Sequence, residues 1–217
     1  MAVRKQVFAD REAWLKARQQ RIGGSDAGAC VGMNAHKDNI QLWEEKMGLT
    51  LPEDISDRPY VRYGIRMEPL LREMFVLDFP QYQVSYDEFN MFTNTEYPWM
   101  HASLDGELVD KDGRRGILEI KTTEILQNSQ WEQWNHRLPG SYYCQVLHYL
   151  AVTGYDFAVL KARIRSRRGE ELAVEERHYF LERKDLEEDM RYLAEAERRL
   201  WDCITSGRRP DLVLPAI

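Results

Sequence analysis

No apolar run in this chain approaches the roughly 18 residues that a membrane-spanning helix needs, so no part of it is expected to cross a bilayer. The first residues, MAVRKQVFADREAW, lack the apolar stretch of a secretory signal. Cysteine is scarce: Cys30, Cys144 and Cys203 are odd in number and far apart. That argues against a disulfide framework, a zinc knuckle or a four-cysteine iron–sulfur centre, and for reduced thiols in the cytoplasm. His36, His101, His136, His148 and His178 fall at no metal-ligand spacing and are expected in core or surface roles. Positive charge is short as well. At a formal net charge of −6, a polyphosphate partner would not be inferred, because phosphates are neutralised by Lys and Arg. Arginine is concentrated locally, at Arg163, Arg165, Arg167 and Arg168 and at Arg208-Arg209, although such clusters are ordinarily solvated loops.

What is present suffices for one core. Hydrophobic residues make up 43% of the 217, so residues 1–217 are read as a single domain. Asp10 is placed to cap a helix over 11–20, and Asp38 another that runs through Lys46 and ends at Gly48. Residues 58–78 read as a long helix with Val61, Ile65, Leu71 and Phe75 on one face. The period then changes, and 82–93, 99–109 and 116–122 read as strands, the last two joined by the turn Asp110-Lys111-Asp112-Gly113. A helix is expected over 141–153, strands over 156–165 and 172–180, and an amphipathic helix from Lys184 to Ser206. Trp131 and Trp134 are read as packing residues, with base stacking as the functional alternative. The order predicts an α/β domain of α+β type built on a mixed sheet.

The informative segment is Ser103-Leu104-Asp105-Gly106, a turn, then Leu118-Glu119-Ile120-Lys121. Side chains alternate along a strand, so Glu119 and Lys121 share a face, and hairpin pairing would bring Asp105 beside Glu119. Two carboxylates and the Ile120 backbone carbonyl are hard oxygen donors of the kind Mg²⁺ or Mn²⁺ prefers. Lys121 could then orient water or stabilise charge developing on a phosphate. An isolated Glu-x-Lys is ordinarily a solvent-facing ion pair, but four features accompany this one. Glu68 falls on the apolar side of its helix, where an unpaired carboxylate is costly. Asp105 is followed by Gly106. Gln145 and Tyr149 are one helical turn apart and share a face. The glycine turn Arg21-Ile22-Gly23-Gly24-Ser25-Asp26 opens a helix, whose N-terminus attracts anions.

Together these residues resemble the phage-type alkaline exonucleases of the lambda exonuclease and YqaJ-like viral recombinase family, within the PD-(D/E)xK superfamily. The resemblance spans about residues 14–160. It rests on Arg21–Asp26 with Trp43 and Lys46 after it, Gly64–Pro69, Ser103–Gly106, Glu119–Lys121 and Gln145–Tyr149. It implies a restriction-endonuclease-like core with flanking helices. Asp105, Glu119 and the Ile120 carbonyl would be metal ligands for two Mg²⁺ ions, with Mn²⁺ able to substitute. Lys121 would be the catalytic lysine, Glu68 an outer carboxylate, and Gln145 would position the nucleophile or the scissile phosphate. Arg21, Ser25 and Ser103 would line a 5′-phosphate pocket. The implied activity is 5′-to-3′ digestion of one strand of linear duplex DNA to mononucleotides. Its 3′ overhang would pass to a single-strand annealing protein, and the implied assembly is a homotrimer around DNA ends. Two positions depart from the pattern: Leu104 stands where the superfamily has proline, and Thr122–Gln130 contains no arginine to grip a terminal phosphate. A restriction- or resolvase-type endonuclease and an inactive DNA-end-binding module stay open as alternatives.

Overall fold

The computed structural model describes residues 2–135, 137–168 and 171–214, so His136 and the expectation attached to it lie outside the described residues. The chain opens with β1 (Val3–Val7) and α1 (Arg11–Gln19), whose N-cap Asp10 accepts the Ala13 amide as its position predicts. After β2 (Ile22–Gly23) and the single turn α2 (Gly24–Ala27) comes α3 (Asn39–Lys46), held by a capping box between Asp38 and Gln41. The long α4 (Pro59–Asp78) starts on proline, which suits a first helical position with no hydrogen-bond duty. Short strands follow: β3 (Gln83–Ser85), β4 (Asn90–Asn94), β5 (Met100–His101) and β6 (Gly106–Val109). The second half comprises β7 (Arg115–Ile125), α5 (Gly140–Thr153), β8 (Phe157–Arg168), β9 (Glu171–Glu182) and α6 (Glu187–Ser206).

The main sheet runs β3-β6-β7-β8-β9. The β7–β8 pair is parallel, with α5 as its crossover, and the other neighbours are antiparallel, so the mixed-sheet expectation holds. Both faces are covered. On one, α4 buries Leu71 and Phe75 against Leu108, Leu118, Ile120 and Val159. On the other, α5 covers Ile117, Ala158, Leu160 and Ala162, and α6 closes the layer with Met190 and Leu193. Each fully buried Leu or Phe contributes roughly 1.5–3 kcal/mol. Trp134 is in this second core with Trp131 against it, as the packing reading anticipates.

Three expectations need correction. Ile65 does not share the buried face of α4; it is 63% exposed. Gly64 takes the sheet side instead, because the helix approaches β7 so closely that a Cβ there would lie 3.0 Å from the Thr122 hydroxyl. The strand read over 82–93 is two strands in different sheets, β3 and β4, separated at Phe89, whose φ of 55° interrupts extended backbone. The strand read over 99–109 likewise divides into β5, parallel to β2, and β6.

Candidate active site

The site forms where β6 leaves β7. Their pairing ends at Gly106 opposite Leu118, so beyond that point β7 continues with β8 on one side only. Asp105 occupies the departure point, and its Oδ2 accepts the Ile120 amide at 2.8 Å. The amide and carbonyl of one strand residue leave the same edge, which puts the Ile120 carbonyl on Asp105's side. Glu119 is 1% exposed. Its Oε1 accepts from Lys121 Nζ at 2.6 Å and from Gln145 Nε2 at 2.8 Å. Its Oε2 is buried and has no hydrogen-bond partner among the described residues. A buried carboxylate oxygen without a partner is costly. The surrounding donors are all oxygen, so the arrangement suits a hard divalent cation.

Both helices that cover the opposite faces contribute side chains here. From α4, Glu68 Oε1 pairs with Arg72 at 2.6 Å, while Arg72 Nε donates to the Asp105 carbonyl at 2.6 Å. From α5, Gln145 also reaches the Tyr149 hydroxyl at 3.0 Å. The fold brings Glu68, Asp105, Glu119, Lys121 and Gln145 to one place, and Arg72, which the sequence motifs did not single out, joins them. Its signal was available: it follows Glu68 by one helical turn.

The electrostatics follow from crowding. Burial, then the charge of Asp105, pushes the Glu119 carboxyl up to about 8. Burial and Asp105 likewise push Glu68 up to about 7, against the pull of Arg72 and Lys121. Burial raises Asp105 in spite of Lys121 and the Ile120 amide. Burial alone would depress the Lys121 ammonium, yet Glu119 and Asp105 hold it above the ordinary lysine value. Three crowded carboxylates raise one another's pKa even with Lys121 and Arg72 beside them, and a divalent cation would relieve that repulsion.

The residues assigned to a phosphate pocket are spread more widely. Ser25 is exposed on α2, and the turn before it is glycine for packing reasons. A Cβ on Gly23 would lie 2.4 Å from the His101 ring, and one on Gly24 2.3 Å from the Tyr149 ring. The α2 start is already served by Asp26, which accepts the Gly23 amide at 3.2 Å and pairs with Lys46 at 3.0 Å. Ser103 Oγ receives Trp14 Nε1 at 3.3 Å, and Arg21 Nε donates to the Pro98 carbonyl at 3.1 Å. Arg18 went unnoticed in the sequence. Its guanidinium stacks on Trp14 at 4.3 Å, and its charge stabilises the ionised forms of Asp105 and Tyr149. The Trp14–Arg18 spacing of one helical turn was the available signal.

Comparison with known proteins gives concordant matches. Residues 13–156 match the YqaJ-like viral recombinase domain. The uncharacterised protein YqaJ of Bacillus subtilis (strain 168) is 32% identical over 209 residues, covering 93% of this chain and 59% of that protein, so the chain spans about three fifths of that relative's length. An alkaline exonuclease from Laribacter hongkongensis superposes with a TM-score of 0.62 at 18% identity, over 90% of this chain and 95% of that one. Its complex with dAMP superposes equally well, at 17% identity. A phage-related exonuclease from Haemophilus somnus 129PT gives a TM-score of 0.53 at 11% identity, over 86% of this chain and 96% of that one.

Proposed function

The chain belongs to the YqaJ-like viral recombinase family, and on that footing we propose that it is a Mg²⁺-dependent exonuclease that digests one strand of linear duplex DNA from its 5′ end to mononucleotides. One observation carries the reading: Glu119 is buried with Oε2 unpartnered while Lys121 and Gln145 occupy Oε1, beside Asp105 at the fork of the sheet. Asp105, Glu119 and the Ile120 carbonyl would hold the metal, with Glu68 as an outer carboxylate. A divalent ion held there supplies Lewis-acid polarisation of phosphate and acidification of water. Lys121 stabilises charge developing on the phosphate. Gln145, fixed by Glu119 and Tyr149, positions the attacking water or the scissile group. The dAMP complex of the Laribacter enzyme agrees with a mononucleotide product. A homotrimer around the duplex and transfer of the 3′ overhang to a single-strand annealing protein belong to the same proposal. Incubation of linear and covalently closed duplex with Mg²⁺ or chelator tests it. Loss of linear DNA alone, only with metal, supports an exonuclease; nicking of the circle supports the endonuclease alternative.

Metal-free protein is expected to lose stability with rising pH. The Glu68 and Glu119 carboxyls titrate near 7 and 8 when folded, but near 4.3 when unfolded. The folded state therefore binds more protons between those limits, and its stability falls as pH rises from about 4.5 to 8. Saturating Mg²⁺ should reduce this slope by the share that Glu68 and Glu119 contribute. Thermal unfolding in chelator and in Mg²⁺ at pH 5 and pH 8 measures both; equal slopes would place these carboxylates outside the metal site.

Recognition of a 5′-phosphate is assigned to two arginines, Arg21, which donates to the Pro98 carbonyl, and Arg18, which stacks on Trp14. Arg18→Ala is expected to slow digestion of 5′-phosphorylated duplex about tenfold or more relative to 5′-hydroxyl duplex, as loss of a charge-assisted bond implies. Arg21→Ala is expected to slow the phosphorylated duplex more than the hydroxyl duplex as well. Equal slowing of both substrates would make either residue a general backbone or structural contact.

A further inference from the structure

We propose that Asn90 is a positioning residue for the metal site, and that its side chain sets the backbone from which Asp105 projects. The proposal rests on the nuclease reading above.

Strands β4 and β5 are linked at one bridge, where Phe92 and Ala102 exchange both backbone hydrogen bonds, at 2.7 and 3.0 Å. Carried two residues further, that antiparallel register would place residue 90 opposite residue 104. The backbones do not continue it. The Asn90 carbonyl is turned to Trp14 Nε1 at 3.0 Å, directly after the left-handed Phe89. The chain must also swing from β5 towards β6, which begins only at Gly106. Leu104, the residue before Asp105, is buried at 2% exposure inside this gap and would be left without a strand partner.

Asn90 fills the gap with its side chain. Oδ1 accepts the Leu104 amide at 2.8 Å, and Nδ2 donates to the Leu104 carbonyl at 2.9 Å and to the Asp87 carbonyl at 2.8 Å. An asparagine amide carries one acceptor and two donor hydrogens, and all three functions are used here. The side chain thereby reproduces what a neighbouring strand residue would offer. It is itself 5% exposed, so water does not compete for these bonds. The next residue along is Asp105, whose carboxylate meets the Ile120 amide. The carboxylate's position therefore depends on a backbone fixed from one side by Asn90 and from the other by Arg72 on the Asp105 carbonyl. Groups that orient a metal ligand typically change affinity by about 10–100-fold when removed.

The test uses full-length Asn90→Ala, with Asn90→Ser as a milder change should the alanine variant fold poorly. Mn²⁺ binding is followed by calorimetry, and kcat and KM are measured on linear duplex. The variants are expected to bind Mn²⁺ about tenfold or more weakly and to lose kcat, with KM for DNA ends unchanged. Folded variants with wild-type Mn²⁺ affinity, or with losses in DNA-end binding as large as those in kcat, overturn the positioning role while wild-type cleavage leaves the nuclease reading intact. A wild-type protein that neither binds Mn²⁺ nor cleaves DNA overturns both.

Discussion

Glu119→Ala is expected to abolish metal-dependent cleavage, by on the order of 10³-fold or more. The substitution removes the buried oxygen offered to the metal and strips Lys121 and Gln145 of the acceptor that both now share. Lys121→Ala should act differently. Asp105, Glu119 and the Ile120 carbonyl stay in place, so metal binding persists while charge stabilisation is lost, a fall of at least about 10²-fold in rate. Both variants should still bind DNA ends, because the phosphate contacts proposed for α1 and the Ser103 segment are elsewhere. Single-turnover cleavage together with a DNA-binding titration separates these effects. Near-wild-type turnover in either variant would mean that the catalytic centre is elsewhere.

His148→Ala is expected to cost about 3–5 kcal/mol of stability at neutral pH, the range for breaking a buried charged pair, or roughly 10 °C in Tm for a chain of this size. His148 and Glu197 are both fully buried; Nδ1 meets Glu197 Oε1 at 2.9 Å and Nε2 meets the His101 carbonyl at 2.8 Å. Burial would depress the His148 imidazolium, but Glu197 raises it above the ordinary histidine value. Burial raises the Glu197 carboxyl, and His148 opposes that. Between them the two groups retain a proton that the unfolded chain releases near pH 6.5. The wild-type pair is thus most stabilising below that pH and loses its contribution as pH rises through the folded value. Without His148, Glu197 must bind a proton itself or remain charged in the core. The deficit of the variant should therefore shrink as pH falls towards about 4.5. Denaturant unfolding of both proteins at pH 5 and pH 8 checks the size and the sign. A loss under 1 kcal/mol that is independent of pH would contradict this account of the pair.

The proximity of Asp105, Glu119 and Lys121 is legible because it depends on rules that act over a few residues. Strand alternation put Glu119 and Lys121 on one face, and the Asp110–Gly113 turn fixed the hairpin that sets Gly106 opposite Leu118. Glu68 was legible from helical period, although Ile65 was placed on its face where Gly64 belongs, since the close approach to Thr122 cannot be read from period. The glycine turn at 23–24 looked like an anion site. Its glycines answer to the rings of His101 and Tyr149, which are distant in sequence and adjacent only after folding. The His148–Glu197 pair cannot be read from the sequence for the same reason: the two residues lie 49 positions apart on different helices. Asn90 gave no signal, because a lone asparagine at a strand start is unremarkable until Leu104 is known to lack a strand partner.

The most direct test of the central claim is digestion of a linear 5′-phosphorylated duplex labelled at one end, in Mg²⁺. A 5′ label is expected to be released at once as a mononucleotide, while a 3′ label on the same strand stays in long fragments until late. Neither should be released in chelator or by Glu119→Ala. Early release of the 3′ label, or metal-independent release of either, would contradict that claim.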